Sequence, residues 1–395
     1  MRPQINSKHL LLLFLLILSN AFVSFSQTDY LPVGATVNKL STNQFGFLEG
    51  PVWYEDSVLL FTDQGGANKI YKYNPQSNVF SVFRENSQKS NGLTLSKDGE
   101  LLACEETTKK IVSIDRNGNV IAALATSFNG TVFNKPNDLI ADAKGGIYFT
   151  DPPSHAVYYV SPTGVVSKTI VDLTKPNGIL LSPDGLKLYV SDTQINDFYS
   201  WTVAQNGTLS NKVKLATLNL VEGTTVATAD GMAIDIHGNI YVTTGLGVQV
   251  ISASGTHLGT ITVPEQPANC DFGGPDMKTL YITARTNVYK IDLNYPGYTI
   301  FKNKPSLVDQ IQLENTFFTM FPVPANASVH YKLNERANHE IVIYNSVGKC
   351  VKTLSGNGDS GIIMTENLAN GIYFAKLTKA ELKHSSTICR FVIIK

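Results

Sequence analysis

Between residues 48 and 292 the hydrophobic and polar positions fall into short paired phrases separated by turns. The first phrase of each pair opens on a carboxylate or its amide and continues apolar. The six copies are E-G-P-V-W from Glu49, N-G-L-T-L from Asn91, N-D-L-I-A from Asn137, N-G-I-L-L from Asn177, D-G-M-A-I from Asp230 and N-C-D-F-G from Asn269. Ten or eleven residues later come LLFTD from Leu59, LLACE from Leu101, IYFTD from Ile147, LYVSD from Leu188, IYVTT from Ile240 and LYITA from Leu280. Apolar, β-branched runs of this length joined by Gly/Asp turns such as Pro183-Asp184-Gly185 predict β-hairpins. Further strands are expected near 69–73, 111–115, 157–161, 248–252 and 287–292. No helical period is sustained. Successive openings lie 42, 46, 40, 53 and 39 residues apart, the period of β-propeller blades. The fold class predicted is therefore all-β, a six-bladed β-propeller whose last blade is closed by a strand from before Glu49.

After Phe301 the repeat stops, and Lys302-Asn303-Lys304-Pro305 begins a linker. Alternating strands with Asn/Gly turns resume in E-I-V-I-Y-N-S-V-G-K from Glu340, L-A-N-G-I-Y-F-A-K-L from Leu368 and the terminal R-F-V-I-I-K, predicting a small C-terminal β-sandwich. At the other end Arg2 and Lys8 precede nine apolar residues, Leu10 to Leu18, and Ser24-Phe25-Ser26 offers a small-x-small cleavage site. That pattern is an export signal, and its apolar core is too short to span a bilayer. The expected order is a signal peptide at 1–26, the propeller at 27–302, a linker at 303–316 and the sandwich at 317–395. The mature chain has no membrane-spanning segment.

Lys plus Arg and Asp plus Glu number 32 each, without charge runs, so no nucleic-acid partner is expected. Four cysteines in 395 residues are too few for a disulfide scaffold. Cys104 and Cys270 fall inside repeat phrases and read as small core residues; export would permit Cys350 and Cys389 to pair, which spacing leaves open.

A radial repeat brings equivalent positions together around one channel. Asp63, Glu105, Asp151 and Asp192 close the second phrase in four blades, and that uniformity points to strand-end hydrogen bonding. The opening position instead varies among Glu, Asn and Asp. Buried polar groups there need satisfaction, by one another around a water-filled channel or by a cation. All offer oxygen, which suits hard cations. Calcium fits first, then magnesium or manganese, with zinc less suited. Glu49 and Asp230 carry the charge, and Asn137 and Asn177 add neutral oxygens. Asn91, at the same repeat position, becomes a candidate for substrate. No G-x-S-x-G elbow is present, which weighs against a serine hydrolase.

The phrases E-G-P-V-W, F-N-K-P-N-D-L-I, Y-F-T-D-P-P, P-N-G-I-L-L-S-P-D-G, A-D-G-M-A-I-D and N-C-D-F-G-G-P-D resemble the gluconolactonase, senescence marker protein and luciferin-regenerating enzyme family. The resemblance implies one central divalent metal, held at the positions of Glu49, Asn177 and Asp230. Asn137 would reach metal or substrate, and the activity would be hydrolysis of a sugar lactone or similar cyclic ester. Asp230 and Asn137 are the residues expected to act in the reaction, with Asp138 a neighbouring carboxylate able to take a proton. Two departures from the family text are Lys135, where some relatives carry Arg, and Ser154-His155-Ala156 after Pro153. Both Lys135 and His155 are candidates for substrate contact. A propeller that kept the ion and lost turnover, binding extracellular sugars, is the alternative. The C-terminal phrases, with F-P-V-P-A-N-A from Phe321, resemble the type IX (Por) sorting domain. That likeness implies secretion machinery as a partner and a secreted or cell-surface location outside a Gram-negative cell.

Overall fold

The computed structural model describes residues 29–41, 44–170, 172–300, 318–321, 327–345, 349–380 and 388–393. The export segment 1–26, the linker 303–316 and residues 322–326 of the F-P-V-P-A-N-A phrase lie outside the described residues. Two compact units result, Met1–Phe301 and Lys302–Lys395. Among the described residues no helix is long and apolar enough to cross a membrane.

The first unit is built of six four-stranded antiparallel sheets, the blades of a propeller. Their innermost strands are Leu48–Tyr54, Ser90–Leu95, Leu139–Ala141, Pro176–Leu181, Met232–Ile234 and Pro267–Gly273. The second strands are Val58–Asp63, Leu101–Glu105, Ile147–Asp151, Lys187–Asp192, Ile240–Thr244 and Thr279–Ala284. These are the two phrases of each repeat. Five blades use four consecutive strands, whereas the sixth has three of its own and takes Asn38–Lys39 as its outer strand, Asn38 opposite Lys290. Main-chain bonds between the two ends of the ring thus protect an edge that would otherwise stay open. The uneven spacings have local causes. A small hairpin, Ser127–Phe128 with Thr131–Val132, is inserted after blade 2, and blade 4 ends in a nine-residue outer strand, Leu209–Thr217.

The second phrases begin with an apolar run because both faces of each blade are buried. In blade 2, Leu101 and Ala103 pack towards blade 1, while Leu102 and Cys104 pack towards blade 3. Cys104 and Cys270 are fully or nearly fully buried, as core residues. Between blades 1 and 6 the Trp53 indole stacks on Tyr281, centroids 5.6 Å apart and 7° from parallel.

The second unit is a small sandwich made from one five-stranded sheet. Its 18-residue strand Ser328–Asn345 pairs at one end with Phe318–Phe321, at the other with Gly371–Ala380, and along its length with Cys350–Met364. A register shift between Lys332 and Ala337 bends it. Val329, Tyr331 and Leu333 from one half and Ile341 and Ile343 from the other then share one core with Phe391 and Ile393. Cys350 is an exposed free thiol, and the Cys389 side chain lies outside the described residues.

In blades 1, 2, 4 and 5 the residue after the opening position is glycine, and the inner strands approach so closely there that a side chain has no room. A Cβ on Gly178 would stand 2.4 Å from the Asp230 carbonyl oxygen, a backbone atom with little freedom to give. Gly178→Ala is therefore expected to destabilise the propeller by about 1–3 kcal/mol, lowering its melting temperature by about 2–4 °C per kcal/mol. Calorimetry on the full chain checks this; an unchanged transition would contradict so tight a contact.

Candidate active site at the propeller axis

Each opening residue sits where the inner strand departs from regular pairing. Register shifts fall between Glu49 and Val52, Ser90 and Leu93, Pro176 and Ile179, and Pro267 and Asn269. In blades 3 and 5 the opening residues Asn137 and Asp230 precede the short inner strand altogether. Bulges re-aim side chains, and here they turn the polar openings to the axis. Hydroxyls then tie one blade to the next. Thr62 Oγ1 donates to Asn91 O at 2.9 Å, Thr150 Oγ1 to Asn177 O at 2.7 Å, and Ser191 Oγ to Asp230 O at 2.7 Å. The Thr or Ser of the second phrase thereby fixes the backbone under the neighbouring blade's opening residue.

The openings are buried: Glu49, Asn91, Asn137 and Asn269 are at most 9% exposed, and Asn177 and Asp230 are half-buried. Burial pushes the Glu49 carboxyl well above the usual range, and the charges of Asp230 and Asp138 raise it further. Asp138 is pushed up to about 7 by burial, against hydrogen bonds from the Leu139 and Ile179 backbone and the Asn269 amide. Asp230 is likewise pushed up to about 7, by burial and then by Asp138, with Lys175, Asn177 and Arg285 pulling the other way. The Asn269 amide also steadies Glu49, and the Asn177 amide donates to Thr193 Oγ1 at 3.2 Å. Residues from blades 1, 3, 4, 5 and 6 are thus brought within electrostatic reach of one another.

One atom there is left over. Among the described residues Asp230 Oδ1 is shut off from solvent and has no hydrogen-bond partner, which costs free energy unless something binds it. Among the described residues no three His, Cys, Asp or Glu side chains converge as a metal cage. A cation at this point would draw on the Glu49 and Asp230 carboxylates and on amide oxygens. An all-oxygen donor set with an orphaned, buried carboxylate oxygen fits a hard divalent ion.

The carboxylates that close the second phrase do structural work. Asp63 accepts the Gly46 and Phe47 N–H groups, both at 3.0 Å; Asp151 accepts those of Asn134 and Lys135 at 2.8 and 3.0 Å; Asp192 accepts those of Thr174 and Lys175 at 2.7 and 2.9 Å. Each holds the loop that delivers its own blade's opening residue. Glu105 instead pairs with Arg84 at 2.8 Å. Around the rim, the Lys135 ammonium lies 3.1 Å from the Glu106 carboxylate. His155 is exposed, in a left-handed conformation capping a short 3-10 turn, with Nδ1 2.5 Å from Thr174 O.

The structure therefore gathers Glu49, Asn177 and Asp230, with Asn91 and Asn137 at the equivalent ring positions, and leaves Lys135 and His155 engaged at the rim. Asp271 is the half-buried carboxyl that sequence reasoning missed. Its carboxylate accepts the Trp53 N–H at 2.9 Å across blades, and burial pushes it up to about 7. The available signal was its place two residues beyond Asn269, on the same side of the strand. A cavity of about 280 Å³ lies elsewhere, lined by the hairpin turns of blades 3 and 4 and by Tyr298 and Ile300.

Comparison with known proteins bears on this geometry. Residues 47–286 match the family described as SMP-30/Gluconolactonase/LRE-like region, and residues 319–394 match the Secretion system C-terminal sorting domain. The gluconolactonase of Zymomonas mobilis is 30% identical over 277 residues, covering 62% of this chain and 77% of its own. The pentonolactonase XacC of Haloferax volcanii is 27% identical over 259 residues, covering 63% and 84%. Among solved structures, a gluconolactonase from Xanthomonas campestris superposes with a TM-score of 0.60 at 27% identity, covering 67% of this chain and 91% of its own.

The raised carboxyls set a pH dependence for the metal-free protein. A carboxyl whose folded pKa stands above its unfolded value favours the fold while protonated, and that contribution is lost as pH rises from about 4 through about 7. In chelator, the melting temperature is expected to fall between about pH 5 and pH 8. Asp271→Asn should make the fall shallower by removing one such group. Equal slopes in the two proteins, or a rising profile, would contradict the burial of Asp271.

Proposed function

This chain belongs to the SMP-30/gluconolactonase/LRE-like family, and on that premise we propose that it hydrolyses a sugar lactone or similar cyclic ester at the propeller axis. The observation that carries this reading is the buried, partnerless Asp230 Oδ1 among converging carboxylates and amides. Glu49, Asn177, Asp230 and Asn137 would hold a divalent cation, with calcium best suited to oxygen donors. When bound, the ion supplies Lewis-acid polarisation of the ester carbonyl.

Hydrolysis adds water to the acyl carbon and breaks its bond to the ring oxygen, giving a hydroxy acid. The water must lose a proton and the departing ring oxygen must gain one. Asp230 is the acceptor proposed, half-buried at the axis; the Asp138 carboxylate is buried and already accepts the Leu139 N–H at 2.9 Å. Asn137 and Asn91 present amides to the sugar hydroxyls, and Lys135 and His155 shape the rim that the substrate crosses.

The C-terminal match extends the proposal to location. Residues 1–26 direct export, and the sorting domain delivers the chain through the type IX machinery to the cell surface or the medium.

The test is a panel of lactones followed by pH-stat with the full mature chain, with chelator and with calcium restored. Activity that disappears in chelator and returns with calcium is expected. Glu49→Gln and Asp230→Asn should each weaken calcium binding by at least about tenfold, or about 1.4 kcal/mol. Asp230→Asn should also lose about 10²–10⁴ in turnover with calcium in excess. Asn137→Ala should bind calcium more nearly normally and raise KM or lower kcat. Tight calcium binding without turnover across the panel would replace the hydrolase by a sugar-binding propeller.

A further inference from the structure

Blades 3 and 4 open with the same grammar, Asn134-Lys135-Pro136-Asn137 and Thr174-Lys175-Pro176-Asn177. The two lysines are also held alike. Asp151 grips the backbone N–H groups of 134 and 135, and Asp192 those of 174 and 175. Each lysine stands two residues ahead of its axial asparagine, in the loop that its blade's closing aspartate grips. Lys135 and Lys175 are therefore equivalent positions on the rim.

Their charges have different fates. Lys135 is neutralised by Glu106, which directly follows the second strand of blade 2. At the equivalent place in blade 3, directly after Asp151, stands Pro152, which has no charge to offer. Among the described residues Lys175 forms no ion pair, and it is exposed. Across blade 5, Arg285 is a second exposed cation that forms no ion pair among the described residues. Its guanidinium bonds the Gln266 side-chain oxygen and lies 6.0 Å from the Phe47 ring centroid. The Arg285 carbonyl accepts the Leu48 N–H at 2.8 Å, so this residue stands beside the opening of blade 1 as Lys175 stands beside that of blade 4. A divalent cation held by Glu49 and Asp230 cancels those two negative charges and leaves the two rim cations unmatched at the mouth.

Resting on the lactonase reading, we propose that Lys175, assisted by Arg285, binds an anionic substituent of the substrate, so that the preferred lactone carries an acidic group beyond the ring that opens. The ammonium supplies a point charge and the guanidinium a directional fork. A neutral sugar lactone would leave both exposed to solvent and gain neither.

The experiment compares kcat/KM of the full mature chain, calcium present, on glucono-1,5-lactone, on a glucaric acid lactone and on 6-phosphogluconolactone. The expected result is a preference of about tenfold or more for an acidic lactone, equivalent to about 1.4 kcal/mol. The carboxylate and phosphate arms show which acid the mouth takes. Lys175→Gln should collapse the acidic-to-neutral ratio and Lys175→Arg should retain it. Raising ionic strength should depress the acidic substrates selectively, since solvent-exposed charges are screened. Calorimetric titration with glucarate and gluconate, which needs no turnover, should show tighter glucarate binding in the wild type than in Lys175→Gln. Equal ratios in wild type and Lys175→Gln, or equal glucarate affinity in the two, overturn the inference while leaving lactone hydrolysis standing. Absence of turnover on every lactone, with the glucarate difference intact, removes the hydrolase and keeps the anion site.

Discussion

The close approach of the inner strands governs what this propeller can do. Where Gly178 meets the Asp230 carbonyl, and Gly92 meets Asn137 and Asp138, there is space for backbone and nothing more. The opening side chains are therefore crowded onto one axis from residues as far apart as Glu49 and Asn269. The hydroxyls of Thr62, Thr150 and Ser191 fix that approach through main-chain carbonyls, so the ring is held by the atoms that also position the site.

Crowding has an electrostatic consequence. Glu49 and Asp138 are buried and Asp230 and Asp271 half-buried, and the pKa values of all four carboxyls are raised chiefly by loss of solvation. Left alone, such groups hold protons to higher pH than ordinary carboxyls do. A divalent cation, as proposed above, would give Glu49 and Asp230 a reason to be charged and would give Asp230 Oδ1 a partner. The same site accounts for the rim: carboxylates inside the ring call for a cation, whereas Lys175 and Arg285 outside it call for an anion.

The blades were legible because each needs two apolar faces and a turn, and the openings because their chemistry varied while the second phrase always followed ten or eleven residues later. The structural role of Asp63, Asp151 and Asp192 was likewise visible in their regularity, and each proves to grip a loop. The closing strand was foreseen, although Asn38–Lys39 is only two residues long. What the sequence hid were relations between blades. Nothing near Lys135 marks Glu106 as its partner, and Asp271 reads as an ordinary polar position until blade 1 is laid beside it. Lys175 looks identical to Lys135 in sequence. Only the ring shows that one has a carboxylate neighbour and the other a proline.

The central claim is that one cation completes the axis. Anomalous diffraction from crystals of the full chain grown with manganese or calcium tests it most directly. The account predicts a single peak on the propeller axis, with oxygens of Glu49, Asn177 and Asp230 about 2.0–2.6 Å away for these hard cations. A map without a peak there, or a peak bound by neither Glu49 nor Asp230, would contradict it.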